Sequence, residues 1–265
     1  MKRIAILSDM HCGHRTGLTP PSAQPMPPAG AKHHVLKQVA QRKELWDWFI
    51  QTIKPYRPIH HLIHNGDAID GKGKRSGGTE QLTTDRYEQV EMAADVLRQI
   101  GAKQIWMTYG TGYHVGDEED WEALVAEKVG AEKIEDEGHY DVEGLQIVCK
   151  HHIGNSSSPV SRVTAMSSAQ IRNALWALQG QQPLANLIVR SHVHRCYNIG
   201  FPAINFQGWV TPGLQGLGSK YGARRCDGLP IDFGFLIVEI RSAKDWHVIP
   251  EVAPLTMQSA QVNEL

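Results

Sequence analysis

Short apolar runs alternate with longer segments of helical spacing along most of the chain. The apolar, β-branched runs predict five buried strands, at residues 2–8, 59–65, 103–109, 145–150 and 186–190. Between them, apolar residues recur every three or four positions, which is typical of amphipathic helices. The predicted helices span residues 35–53, 85–100, 117–128 and 158–179. Strands that alternate with helices predict parallel sheet with helical crossovers.

The pattern changes in the last third of the chain, where three further strands are predicted at residues 204–211, 233–241 and 246–249. No internal repeat or linker divides the sequence, so one domain is expected over residues 1–265. The prolines at about residues 17–31 exclude a helix or a central strand, because proline lacks an N–H donor, so a loop is predicted there. This loop is interpreted either as a rim over a site or as a disordered surface insertion. Trp46, Trp106 and Trp176 lie in periodic apolar context, which predicts core positions.

Composition narrows the class of protein. Hydrophobic residues make up 41% of the 265 positions and charged residues 21%, which is typical of a soluble globular protein. A formal net charge of −1 gives no strong field towards nucleic acid or membrane. None of the four cysteines lies in a Cys-x-x-Cys pair, which argues against a zinc ribbon. A disulfide framework is not expected in a chain of this size, so a reducing cytoplasm is the expected location. The N-terminus is predicted to be a strand and not a signal peptide, and no apolar run is long enough to cross a bilayer.

Residues that can bind metal follow each of the five predicted strands. They are Asp9 and His11; Asp67 with Asp70; Thr111 and His114; His151 and His152; and His192 and His194. Ligands of parallel sheets bind beyond the carboxyl ends of the strands. One shared site is therefore expected.

Two of these blocks have the same spacing. Asp9 and His11, like His192 and His194, are two residues apart, and in an extended segment such residues point the same way. Asp67 follows a glycine that permits a sharp turn, and its carboxylate has two oxygens with which to bridge two cations. Asp70 is expected to support a neighbouring ligand or to cap a helix.

Two histidine assignments stay open at this point. His151 and His152 are adjacent and point to opposite sides, so at most one should bind metal directly. His152 is preferred because a loop begins directly after it. His114 lies in a glycine-rich turn and suits protonation of a leaving alkoxide, although it could also be an ordinary metal ligand.

The ordered set of blocks resembles the calcineurin-like metallophosphoesterase superfamily, especially its phage-type and bacterial members. The resemblance covers residues 3 to about 240. It implies a four-layer αββα sandwich, in which two mixed β-sheets pack face to face with helices outside. It also implies two divalent metal ions, and manganese, iron, zinc, nickel or cobalt would suit the His/Asp ligands.

The resemblance also implies roles for individual residues. Asp9, His11 and His194 would hold one metal, and His192 with His151 or His152 would hold the other. Asp67 would bridge the two metals, a bridging hydroxide would attack phosphorus, and His114 would act as the acid.

The sequence departs from the family pattern at two positions. Ser191 replaces the usual glycine, and residues 110–114 lack the asparagine whose amide oxygen binds the second metal in the family. The Thr111 hydroxyl or a water would have to fill that position, which should weaken the second metal site.

The leading hypothesis is a dinuclear metal-dependent phosphoesterase that hydrolyses phosphodiesters or phosphomonoesters. The alternatives are a non-catalytic binding scaffold with the same fold, a small metal-dependent nuclease, and a metal hydrolase of a non-phosphate bond. No basic groove with interleaved aromatics indicates a nucleic-acid partner. The residues that could clamp phosphate are Arg162, Arg195, Lys220, Arg224 and Arg225.

Overall fold

The structure, a computed structural model, describes residues 1–27, 29–74, 76–115, 120–154, 159–217 and 231–254. Its α-helices are α1 (His33–Ile53), α2 (Arg86–Ile100), α3 (Gly112–Val115), α4 (Trp121–Val129) and α5 (Pro159–Leu178). Its strands are β1 (Lys2–Leu7), β2 (His61–Asn65), β3 (Gln104–Thr108), β4 (Lys133–Glu135), β5 (Gly138–Val142), β6 (Leu145–Cys149), β7 (Leu187–Arg190), β8 (Tyr197–Phe201), β9 (Phe206–Val210), β10 (Gly234–Ser242) and β11 (Asp245–Val252).

The strands form two mixed sheets. The first has the order β11-β10-β1-β2-β3-β4, and β1 to β4 run parallel in it while β10 pairs antiparallel with both β1 and β11. The second has the order β5-β6-β7-β9-β8, with β6, β7 and β9 parallel and both outer strands antiparallel. Helices connect β1 to β2, β2 to β3, β3 to β4 and β6 to β7, and each of these pairs is parallel, as the alternation in the sequence predicts.

Three hydrophobic cores separate four layers. Phe49 of α1, Leu97 of α2 and Val125 of α4 pack on one face of the first sheet. The core between the sheets joins residues such as Ile6 and Leu236 of the first sheet to Leu187 of the second. The outer face of the second sheet is covered by α5. The predicted αββα sandwich is confirmed, and it brings the carboxyl ends of the parallel strands of both sheets to one edge.

Helix boundaries follow the capping chemistry of the sequence. Asp85 accepts hydrogen bonds from the N–H groups of Tyr87 (2.8 Å) and Glu88 (3.4 Å), and α2 ends at Gly101 with a left-handed φ of 73°. The next helix was expected to begin at residue 117, but α4 begins at Trp121 with Asp120 as its cap. Residues 116–119 lie outside the described part of the chain.

Several expectations need correction. The short strands β4, β5 and β8 were not predicted. Trp176 was expected in the core, but 52% of its surface is exposed on the outer side of α5. The proline-rich segment begins with buried Leu18 and Thr19, and the Leu18 N–H donates to the Met10 carbonyl at 2.9 Å.

Among the described residues, the structure contains no helix that is long and apolar enough to cross a membrane.

Candidate metal centre

Carboxylates and imidazoles from both sheets converge at the shared edge. Three overlapping sets of residues have ligand atoms within 4.8 Å of one another: Asp9, Asp67, His151 and His192; Asp9, His11 and His194; and His11, Asp67 and His114. Both carboxylates take part in two sets. The structure thus brings together seven of the eight candidate ligand and acid residues with ring or carboxylate donors, and leaves out His152.

The backbone at these residues is unusual. Asp9, His11, Asp67, His192 and His194 have left-handed φ angles between 45° and 78°. Only two other non-glycine residues in the described ranges share this conformation, Glu143 and Asn205. The conformation is costly for side chains with a Cβ and concentrates at functional sites. The extended geometry assumed for the two-residue spacings is therefore wrong, although the residues do converge.

Backbone hydrogen bonds beyond the strand ends hold this conformation. The Asp9 N–H donates to the Gly66 carbonyl at 2.9 Å, and the His11 N–H donates to the Asp67 carbonyl at 3.1 Å. The Leu214 N–H donates to the Asp9 carbonyl at 3.0 Å. The pairing of β1 with β2 is thereby extended into the loops that carry the ligands.

The orientation of three histidines is set by acceptors at their Nδ1 atoms. Nδ1 of His11 lies 3.0 Å from Asp70 Oδ1, Nδ1 of His114 lies 2.9 Å from the Asp70 carbonyl, and Nδ1 of His151 lies 2.7 Å from the Asn65 carbonyl. Carbonyl and carboxylate oxygens only accept, so each Nδ1 carries the proton. Each Nε2 is then the atom available to the site, the arrangement found for metal-binding histidines.

The Nε2 atoms meet the carboxylates at short range. His151 Nε2 lies 3.1 Å from Asp67 Oδ2, and His194 Nε2 lies 3.2 Å from both Asp9 Oδ1 and His11 Nε2. Apart from these close contacts, Asp9 Oδ1 and His151 Nε2, which are both buried, have no hydrogen-bond partner among the residues described. Buried polar atoms normally have partners, so these two atoms and the mixed O/N donor set fit divalent metal ions.

The charges of the cluster are strongly coupled. Burial alone would raise the pKa of Asp9, but His194 and His151 outweigh it and hold the pKa below its usual range. For Asp67, burial is likewise outweighed, chiefly by His151 and His114. For His151, burial would lower the pKa, but Asp67 and Asp9 raise it to about 10. Burial lowers the pKa of His192 to about 4. Without metal, the two carboxylates therefore favour the protonated form of His151.

The structure reverses the preference for His152. His151 is buried against Asp67, whereas His152 is exposed and belongs to none of the three sets. The His152 ring lies beside that of His192, with centroids 5.0 Å apart. The Asn65 carbonyl accounts for the difference, because it binds His151 Nδ1 and turns that ring inward.

The loop after β3 approaches Asp67 through Thr111. The Thr111 N–H donates to Asp67 Oδ1 at 2.7 Å, and its hydroxyl lies 3.1 and 3.2 Å from the two carboxylate oxygens. A Cβ at Gly110 would clash with Asp67 Oδ1 and with the Asp67 backbone. Glycine is required there because the loops after β2 and β3 touch.

A chain of buried polar side chains crosses between the sheets directly beneath the cluster. The Thr108 hydroxyl donates to Asn65 Oδ1 at 2.7 Å, and Asn65 Nδ2 donates to Ser191 Oγ at 2.7 Å. The Thr211 hydroxyl donates to Ser191 Oγ at 2.8 Å and forms a hydrogen bond of 2.6 Å with the Ser8 hydroxyl. This polar chain gives Ser191, a departure from the family pattern, a structural role.

Glu122 is a site residue that the sequence did not single out. It is fully buried at the start of α4, and Oε1 accepts the Ala68 N–H at 2.8 Å while Oε2 accepts the Gly110 N–H. Burial and the negative charge of Asp67 raise its pKa to about 7. Acidic residues are common in the first turn of a helix, where they face solvent and interact with the helix dipole. The position of Glu122 in the sequence therefore did not indicate a buried site residue.

Of the five residues that could clamp phosphate, Arg162 and Arg195 lie in the described part of the chain. Arg195 is buried, close to the loop that carries His192 and His194, and the Arg162 carbonyl accepts the Tyr197 hydroxyl at 3.4 Å. Lys220, Arg224 and Arg225 lie outside the described residues.

Comparison with known proteins gives structural likeness alone. No protein-family model matches the chain, and no curated protein matches it. Vps29 from Entamoeba histolytica complexed with Zn²⁺ is similar at a TM-score of 0.46 and 12% identity, over 94% of this chain and 98% of that one. An archaeal phosphodiesterase is similar at 0.44 and 14%, over 94% and 99%. YfcE, a phosphoesterase from E. coli, is similar at 0.39 and 14%, over 93% and 96%.

These similarities are distant, and the architecture is better defined by features of this chain itself. The two mixed sheets, the flanking helices and the ligands at the strand ends occur together in one molecule. The chain thus has the four-layer αββα architecture that the resemblance implies, with the candidate ligands at its strand ends.

Proposed function

We propose that this protein is a metal-dependent phosphoesterase. The observation that carries the proposal is the convergence of two carboxylates and five imidazoles, whose ligand atoms lie within 4.8 Å of one another in three overlapping sets. Neutral imidazole and carboxylate together suit borderline divalent ions such as manganese, iron, zinc, nickel or cobalt.

The division of ligands supports two metal ions. Asp9, His11 and His194 would hold one, and His151, His192 and Asp67 would hold the other, with the carboxylates shared between them. Divalent metal ions at these groups would activate water for attack and neutralise charge on the phosphoryl oxygens. A phosphate ester is therefore the substrate class that the donor set suits best.

His114 supplies the proton in this proposal. Its Nδ1–H donates to the Asp70 carbonyl, so the ring is fixed and Nε2 faces the set formed with His11 and Asp67. In its protonated form, Nε2–H would donate to the oxygen of the leaving group. The partial exposure of His114 leaves this nitrogen accessible to a bound ester.

Asp70 hydrogen-bonds to both His11 and His114 but belongs to none of the three ligand sets. Its carboxylate binds His11 Nδ1 and also accepts a hydrogen bond from Gln81 Nε2, while its backbone carbonyl binds His114 Nδ1. One residue thus fixes a metal-binding imidazole and the proposed acid relative to each other.

The test is metal-screened hydrolysis. Protein stripped with a chelator is reloaded with Mn²⁺, Ni²⁺, Co²⁺, Zn²⁺ or Mg²⁺ and assayed on bis-p-nitrophenyl phosphate beside p-nitrophenyl phosphate. We expect turnover with at least one metal and a loss of more than about 100-fold in Asp67→Asn. Asp47→Asn is the matched control, because Asp47 is partly exposed on α1, away from the cluster, and forms an ion pair with Lys43.

One observation favours a second candidate, a non-catalytic scaffold. The Thr111 hydroxyl lies against both oxygens of Asp67, and the loop after β3 offers no amide side chain to a metal. Metal binding without turnover of either ester would support the scaffold. Cleavage of oligonucleotides in preference to both small esters would point to a nuclease.

A further inference from the structure

Asp67 is held by a closed ring of bonds that passes through two loops and one helix. From Asp67 the ring follows the chain to Ala68, whose N–H donates to Glu122 Oε1 at 2.8 Å. Glu122 Oε2 accepts the N–H of Gly110, and Gly110 is bonded to Thr111. The Thr111 N–H closes the ring by donating to Asp67 Oδ1 at 2.7 Å.

Glu122 is the only member of this ring that comes from a helix. It lies in the first turn of α4, which is anchored to the core by Trp121 and Val125. The positive end of a helix favours a carboxylate at this position. Glu122 therefore ties the loops after β2 and β3 to a rigid element outside both of them.

The two donors in the ring suit an ionised carboxylate, and their hydrogen bonds oppose the burial that raises the pKa of Glu122. Both partners of Glu122 are backbone N–H donors, so both oxygens must accept. Glutamine has nearly the same shape, but its amide nitrogen would point a donor at one of the two N–H groups. Either that N–H loses its acceptor in a buried place, or the two loops move apart.

We infer that Glu122 is a positioning residue of the metal centre, which fixes the Asp67 carboxylate by tying the loop after β2 to the loop after β3. The inference rests on the proposed function in one respect, since it needs a metal ion at Asp67. Glu122 belongs to none of the three ligand sets. Its effect is exerted on the spacing between Asp67 and Thr111, and hence on the direction of the Asp67 oxygens.

The experiment compares Glu122→Gln with Glu127→Gln, which makes the same chemical change at an exposed position of the same helix. Co²⁺ is titrated into each metal-free protein by calorimetry, and the visible absorption spectrum of bound Co²⁺ reports the ligand geometry. Circular dichroism of the metal-free variants checks folding. We expect Glu122→Gln to lose about 10- to 100-fold in Co²⁺ affinity with an altered spectrum, and Glu127→Gln to match the wild type.

The outcomes separate the inference from the proposed function. Equal affinity and an unchanged spectrum in a folded Glu122→Gln protein would overturn the inference and leave the metal centre standing. Failure of the wild type to bind Co²⁺ would overturn both. If Glu122→Gln does not fold, Glu122→Asp keeps the charge and both acceptors but is one methylene too short to span the two N–H groups. Unchanged Co²⁺ binding in Glu122→Asp would also contradict the inference.

Discussion

The loop after β1 and the loop after β3 both deliver residues to the same cluster, but they are built differently. Asp9 and His11 are buried with left-handed backbones, and their N–H groups bond to carbonyls of the loop after β2. Thr111 and His114 are half-buried, and side chains hold that loop through Glu122, Asp67 and Thr111 itself. The first loop is fixed by backbone and the second by side chains, so single substitutions should move the second more easily.

Asp9→Asn should have the largest effect on function with a small effect on folding. Asparagine tolerates a left-handed φ as aspartate does, so the backbone-held loop should keep its shape. The charge shared by two ligand sets is lost, and we expect metal binding and hydrolysis to fall more than about 100-fold. Calorimetry with Mn²⁺ and a thermal melt of the metal-free protein measure the two effects.

Asp9→Ala is the partner variant. It also removes the charge, and it adds a backbone cost of roughly 1–2 kcal/mol because alanine disfavours a left-handed φ. A metal-free Asp9→Ala protein as stable as Asp9→Asn would contradict the description of a strained but backbone-held loop.

Gly110→Ala should disrupt the side-chain-held loop. The added methyl clashes with the Asp67 carboxylate, and overpacking of this kind costs about 1–3 kcal/mol. We expect lower stability and weaker metal binding together, measured by chemical denaturation and calorimetry. Gly112→Ala is the matched control, since a Cβ there meets nothing within 4 Å. Equal behaviour of the two variants would show that the loops after β2 and β3 are not in contact.

Thr111 can be varied to sharpen the comparison. Thr111→Val keeps the branched shape and the N–H bond to Asp67 but removes the hydroxyl, and should cost about tenfold in metal affinity. Thr111→Asn supplies an amide oxygen and should restore or exceed wild-type affinity. The opposite order, with valine binding metal more tightly than asparagine, would exclude a ligand role for this position.

Metal affinity should also rise with pH. The carboxylates of Asp67 and Asp9 raise the pKa of His151 to about 10 in the metal-free protein. The stabilisation from this proton is complete below about pH 6.5 and is lost as the pH rises through about 10. Metal must displace the same proton, so affinity should increase by up to about tenfold per pH unit between pH 6.5 and 8.5.

Calorimetry of metal binding in buffers of different ionisation enthalpy counts the protons that are released. About one proton per bound metal pair is expected from His151. Affinity that does not change across this pH range would mean that His151 is neutral before metal arrives.

Much of the fold was predictable because local signals and tertiary structure agree. Asp85 and Gly101 mark both ends of α2 in the sequence, and the apolar runs of β1 to β3 are buried on both faces as parallel strands require. The strands β4, β5 and β8 were missed because they are short, lie at sheet edges and have little apolar pattern. Trp176 was misplaced because helical periodicity does not reveal how much of a helix its neighbours cover.

The candidate site shows the same division. The candidate ligands could be identified from the residue types at the strand ends. The direction in which each side chain points could not. His151 and His152 differ only in which one meets the Asn65 carbonyl, and that carbonyl belongs to a strand far away in the sequence. The left-handed loops and the Glu122 ring depend on contacts between separate segments, which no local spacing encodes.

The pairing of β1 with β10 has a consequence for how the protein is made. β1 leads into the loop that carries Asp9 and lies inside the first sheet, but one of its neighbours, residues 234–242, is synthesised long after it. Until that segment leaves the ribosome, β1 exposes an unpaired edge, which is an aggregation hazard. Contacts so distant in sequence also slow folding. Nascent chains that stop before residue 234 should therefore need a chaperone to remain soluble, and Asp9 should gain its final environment only after residues 234–242 have been synthesised.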